Sequence, residues 1–257
     1  MKIKHLLCFI ALCLFFTPGK AQQLSVMTLR NGATVYIWED KSKPDVFGMI
    51  AFKVGSVDDP EQYTGLAHYL EHVMFKGTQT IDALDWEKEK PIYEKIIAKY
   101  DERAALSDPA AREAIDKGIN DLTREAAQYA AGNEFSLLVD HMGGQGLNAS
   151  TGYDQTEYHN SFPPSQLEKW LEIYSERLID PVFRGFQTEL EAVYEEYNMY
   201  NDDRGSRMRE FIYEQAFGDH PYARPIIGLP EHLKNPQLSK LIDFYNTWYG
   251  PQNMSII

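Results

Sequence analysis

The chain has 257 residues, of which 44% are hydrophobic and 25% charged, enough for one large domain or two small ones; a disordered or fibrous chain is excluded. Acidic residues outnumber basic ones 38 to 25, a formal net charge of −13. Nucleic acid and anionic membrane are therefore poor partners, because both need a basic footprint, and a peptide drawn in by the overall field would be basic.

The chain opens with Lys2 and Lys4, an apolar run from Leu6 to Phe16 and the small-residue stretch Pro18-Gly19-Lys20-Ala21. This is the layout of a bacterial secretory signal, and the run is too short to span a bilayer. Cleavage after Ala21 is expected, giving a signal over 1–21, a mature chain over 22–257 with no stable membrane span, and a periplasmic or secreted protein. An uncleaved anchor is the alternative. Losing Lys2, Lys4 and Lys20 would leave a charge of −16, and Cys8 and Cys13 would go with them. Histidine and carboxylate then remain as the candidate metal ligands.

Beyond the signal, Val26–Leu29 and Thr34–Trp38 are β-rich runs around Asn31-Gly32, which predicts a hairpin. Phe47 to Val54 reads as a third strand. From Tyr63 to Phe75, Leu66, Leu70, Val73 and Met74 recur at helical spacing and predict a helix. Two further stripes, Ile92, Ile96, Tyr100, Ala104 and Ile115, Ile119, Leu122, Ala126, flank Ser107-Asp108-Pro109, a cap with a proline at the helix start. They predict a helical hairpin at about 85–130, read as a solvated arm without chemistry. A strand follows the glycines at 143–146, and Glu157–Phe162 predicts another. Leu167–Leu178, Glu189–Tyr200 and about Ser239–Tyr249 read as helices, with prolines 221, 225 and 230 marking a loop before the last. Asn253 to Ile257 looks like the middle of a strand. One α+β domain is the simplest account.

The chemistry concentrates in His68-Tyr69-Leu70-Glu71-His72. Two imidazoles at i and i+4 share one helical face and can close on one metal ion, and Glu71 sits where it can reach an adjacent water without being a ligand. Catalytic zinc normally takes a third protein ligand, often a carboxylate. Glu189, Glu191, Glu195 and Glu196 on one acidic helix are candidates, and spacing does not choose among them, although Glu189 and Glu196 are two turns apart on one face. His141, His159, His220 and His232 stand isolated and suit packing or hydrogen bonding.

The stretch from Gly65 to Thr78 resembles the signature of the inverzincin metallopeptidases, the pitrilysin-like M16 family. The resemblance extends to Leu29-Arg30-Asn31-Gly32, to Asn148-Ala149-Ser150-Thr151, to His220-Pro221-Tyr222 with Gly228, and to Tyr249–Met254, nearly the whole mature chain. It implies a mixed, mainly antiparallel sheet packed against helices, with the helical hairpin as an insertion, and one zinc ion per chain held by His68, His72 and Glu196. Glu71 becomes the general base and Glu189 the support of Glu196, with Glu195 the alternative ligand. Asn148 and Ala149 become an edge that pairs with an extended peptide or unfolded segment. The resemblance also implies a second, similar half that completes the substrate chamber. That half is expected either further along a longer chain, of which these residues would be a truncated N-terminal metal-binding domain, or in a partner subunit. The expected activity is zinc-dependent endopeptidase. The alternatives are a non-catalytic subunit of a two-chain M16 peptidase and a peptide-binding module.

Overall fold

Asn31-Gly32 sets the first register. The Asn31 side chain accepts from the Ala33 amide at 3.2 Å and Gly32 takes the left-handed conformation at φ 96°. The turn joins β1 (Leu24–Thr28) to β2 (Thr34–Trp38), antiparallel with Thr28 opposite Thr34. The computed structural model describes residues 24–257, so the expected signal and both cysteines lie outside the described residues.

Four more strands complete one sheet: β3 (Val46–Phe52), β4 (Gln145–Thr151), β5 (Thr156–Phe162) and β6 (Met254–Ile256). Their order is β1-β2-β6-β3-β5-β4, antiparallel throughout except between β2 and β6. The stretch that ends the chain is therefore a central strand, with Ile257 and Met49 exchanging both backbone hydrogen bonds. At the other side, among the described residues, β4 is an edge joined to β5 alone.

Nine helices are found among the described residues: α1 (Leu66–Val73), α2 (Trp86–Ala104), α3 (Pro109–Ala126), α4 (Glu134–His141), α5 (Leu167–Ile179), α6 (Phe186–Asp202), α7 (Arg204–Phe217), α8 (Pro230–Leu233) and α9 (Leu238–Trp248). Strand β5 alternates strictly, turning Thr156, Tyr158, Asn160 and Phe162 into the core. The buried Asn160 is satisfied by Trp170 and Tyr174 of α5, whose Nε1–H and O–H both donate to its Oδ1 at 2.8 Å. Facing it on β3, Gly48 leaves room for Trp170: a Cβ there would lie 2.7 Å from the Trp170 ring.

The α2–α3 hairpin forms as its stripes predict, with Asp108 accepting from the Ala110 amide and Pro109 opening α3. It is not a solvated arm. Ile92, Ile96, Tyr100, Ile115 and Ile119 are all buried in the common core, and Tyr100 packs edge-on against Phe186. Inside α2, the buried Glu89 carboxylate takes two hydrogen bonds from Arg184, at 2.6 and 2.9 Å, tying the hairpin to the turn before α6.

The sequence reading does not foresee α4, α7 or the single-turn α8, which opens at Pro230 where a loop is expected. Phe135, Leu138, Val139 and Met142 carry a helical spacing in α4, but over only two turns. Helix α7 has no buried residue at all: Met208, Phe211 and Ile212 stand at helical spacing, but over little more than one turn and on an exposed face. It is set instead by Asp203, whose carboxylate accepts from the Ser206 amide at 2.6 Å, and by Tyr213 stacking on Tyr153. Among the described residues no helix is long and apolar enough to cross a membrane.

Candidate metal centre and catalytic cleft

Helix α1 starts later than its apolar spacing suggests, at Leu66, because Thr64 and Gly65 before it are committed to other contacts. Gly65 sits at φ 90° with its backbone against Gly228, where a Cβ on Gly228 would come within 2.7 Å of the Gly65 Cα. Asp59 supplies the cap from outside the helix, accepting from the Gly65 amide at 2.7 Å and the Ala67 amide at 2.8 Å. Burial pushes the Asp59 carboxyl up to about 7 despite those two amides. Thr64 is held by His232, whose Nδ1 lies 2.8 Å from the Thr64 hydroxyl, a hydrogen-bonding role of the kind expected for the isolated histidines.

With its start fixed, α1 presents His68 and His72 to α6. The rings lie 4.8 Å apart, and Glu196 Oε2 is 3.6 Å from His68 Nε2 and 3.5 Å from His72 Nε2. Donor atoms that share a tetrahedral zinc at 2.0–2.1 Å stand roughly 3.3 Å from one another, so this triangle fits the ion with little adjustment. One oxygen or nitrogen from each of the three residues lies within 4.8 Å of the others. Glu189 occupies the second ring: its Oε2 is 3.6 Å from His72 Nδ1, while Oε1 pairs with Lys76 Nζ at 2.6 Å. A carboxylate behind a ligating imidazole fixes its tautomer and raises its basicity.

The electrostatics bear the same mark. Burial, reinforced by His72, drops His68 to about 4, so it stands neutral and ready to donate a lone pair. Burial also pulls on His72, but the Glu189 and Glu196 carboxylates outweigh it and raise the imidazole to about 9. Hydrogen bonding to His72 in turn holds Glu196 below its ordinary value against the cost of burial. Without metal, a proton on His72 takes the place of the cation. Glu71, on the same helix, is 9% exposed; burial raises its carboxyl, and the Thr151 hydroxyl donating to Oε2 at 2.7 Å opposes the rise.

A cleft of about 610 Å³ opens over these groups, with Asn148, Ala149 and Thr151 of edge strand β4 along one side and Arg209 and Glu210 of α7 along another. The structure thus brings together His68, Glu71, His72, Glu189 and Glu196, with Asn148 and Ala149 bordering them. Glu195 is exposed and Glu191 points to solvent as well, so neither joins the cluster. Residues that sequence reasoning missed are Lys76, Thr151 and Tyr200, the last hydrogen-bonded to Glu196 from one turn further along α6. The spacing of Lys76 four residues after His72 could have flagged the first, and that of Tyr200 four after Glu196 the last. Nothing local could have flagged Thr151, eighty residues from its partner.

An α+β domain with a His-x-x-Glu-His helix facing an acidic helix and an open sheet edge defines a metallopeptidase-like class. The chain belongs to the insulinase family, peptidase family M16, whose model matches residues 34–90 and 122–229. The gap between the two matched stretches, residues 91–121, falls wholly within the α2–α3 hairpin. The chain is 25% identical over 235 residues to the zinc protease PqqE of Helicobacter pylori, covering 90% of this chain and 42% of that protein. Among solved structures it resembles a Helicobacter pylori protease, with a TM-score of 0.69 and 22% identity over 91% of this chain and 45% of that one. It also resembles the periplasmic protease PqqL of Escherichia coli, with a TM-score of 0.66 and 23% identity over 92% of this chain and 22% of that one. The chain therefore spans less than half the length of these relatives.

Proposed function

We propose that these residues form the metal-bearing half of an exported zinc endopeptidase acting on peptides or unfolded segments. The observation that carries this reading is the meeting of His68 Nε2, His72 Nε2 and Glu196 Oε2 at about the spacing of a shared ion, with Glu71 beside them in a cleft bordered by an unpaired strand edge. His68, His72 and Glu196 would hold one zinc, and Glu189 would orient His72. Zinc, when bound, supplies Lewis acidity that makes water a nucleophile near neutral pH and polarises a carbonyl.

The chain's own residues do the rest. Glu71 accepts the proton of the attacking water and returns it to the leaving amine. Its raised carboxyl suits both tasks, being readier than an ordinary glutamate to hold a proton between the two steps. The β4 edge at Asn148 and Ala149 pairs with an extended peptide through backbone groups, so selection by side chain is loose. A second half, in the same polypeptide or a partner, would close the chamber; the low coverage of the relatives' length supports this. Export rests on the predicted signal over 1–21, and the name of the periplasmic PqqL supports it.

Two variants test the reading. His68→Ala should lose zinc in metal analysis of the purified protein, and zinc equal to wild type would sink the ligand assignment. Glu71→Gln should keep zinc yet lose at least about 100-fold in kcat in the completed enzyme. A native protein isolated free of metal would instead favour a non-catalytic subunit.

A further inference from the structure

Thr151 and Glu71 come from different parts of the chain, yet their contact is held with little freedom. The Thr151 hydroxyl donates to Glu71 Oε2 at 2.7 Å, which leaves Oε1 for a water. Thr151 is the last residue of β4, and the turn beyond it is anchored: the Ser56 and Val57 amides donate to the Gly152 and Tyr153 carbonyls, both at 3.1 Å. The chain passes so close here that a Cβ on Gly55 would lie 2.4 Å from the Tyr153 carbonyl oxygen. Four residues after Gly55, the same segment provides Asp59, the cap of α1. The strand that bears Thr151 and the helix that bears Glu71 thus hang from one short segment, residues 55–59.

The position along β4 adds a second consequence. Residues two apart on a strand share a face, about 6.6 Å apart, so Thr151 lies on the Ala149 side of β4. The edge that would receive a peptide backbone and the hydroxyl that turns Glu71 belong to one rigid strand end.

Resting on the peptidase reading above, we propose that Thr151 is a positioning residue for the general base. Its hydroxyl fixes the Glu71 carboxylate so that Oε1 faces the attacking water, and it sets that geometry relative to a peptide paired at Asn148 and Ala149. Valine has the same shape without the donor, and serine keeps the donor with one methyl fewer, which separates the hydrogen bond from packing.

The test compares wild type, Thr151→Val and Thr151→Ser in the zinc-loaded enzyme assembled with its second half. Thr151→Val should lower kcat by about 10- to 100-fold, the effect of a misaimed catalytic group, with KM changed by less than about twofold. Zinc content and thermal midpoint should stay near wild type, and Thr151→Ser should recover kcat to within about threefold. Cobalt(II) in place of zinc provides a readout independent of turnover. The visible bands of Thr151→Val should shift in the same direction as those of Glu71→Gln, whereas Thr151→Ser should match wild type. Wild-type kcat and an unshifted cobalt spectrum in Thr151→Val would overturn the proposal, as would a serine variant as slow as the valine one. If wild type cleaves no peptide the peptidase reading fails, and the cobalt spectra alone then decide whether Thr151 orients Glu71.

Discussion

Glu189 faces two cations at once, Lys76 at 2.6 Å and the His72 ring at 3.6 Å, which suits the supporting role proposed for it. Replacing it with glutamine keeps the shape but removes the charge that aligns His72. Zinc affinity should fall about 10- to 100-fold, the usual cost of losing a carboxylate behind a metal-bound imidazole, as measured by competition with a chromophoric chelator. The same cluster makes the metal-free protein sensitive to pH. His72 is raised from 6.5 to about 9 in the fold, so its proton stabilises the folded chain below pH 6.5, and that contribution is lost as pH rises through 9. Urea midpoints in the presence of a chelator should decline across this window. The zinc-loaded protein should decline less, because the ion replaces the proton.

At the scale of elements, the α2–α3 hairpin is joined to the body by apolar burial and by one enclosed ion pair. Arg184 and Glu89 are 10% and 2% exposed at their side chains, and the guanidinium binds the carboxylate through two nitrogens. Glu89→Ala would strand a buried Arg184 and should cost about 3–5 kcal/mol in denaturant unfolding. Replacing both with apolar residues of similar volume should restore most of the loss. The hairpin itself was legible because it carries two full apolar stripes and a cap. Its docking was not, since the glutamate that anchors it sits in an otherwise charged run that reads as solvated. Helix α7 shows the reverse case: its contribution to the cleft comes from a surface helix with no buried stripe.

For the whole molecule, the cleft is walled on two sides by β4 and α7, while Met208, Phe211 and Ile212 on the opposite face of α7 stay more than half exposed. If a second half closes the chamber, residues 24–257 produced alone should bind zinc yet cleave peptides poorly. In the completed enzyme kcat/KM should rise by at least about 100-fold, since orientation and water exclusion are supplied only on enclosure. Assay of both forms against one unstructured peptide would show it, and equal activity would argue against the two-part chamber.

The sequence by itself determined what lies within one element. The i and i+4 histidines share a face with Glu71 close by because helix geometry dictates it over a single turn. The hairpin at Asn31-Gly32 and the Pro109 helix start follow from backbone preferences of the same short range. Spacing left four glutamates open and only resemblance pointed to Glu196 and Glu189; the tertiary structure brings those two to the histidines, and it alone shows that Thr151 reaches Glu71. Those partners are separated by 80 to 128 residues, and their distances depend on how α6 and β4 pack against α1. A segment distant in sequence from α6 and β4, residues 55–59, fixes the β4 end against α1 through Asp59 and the backbone of Ser56 and Val57. Periodicity carries no information across such gaps, because it records which face is buried and not what lies opposite.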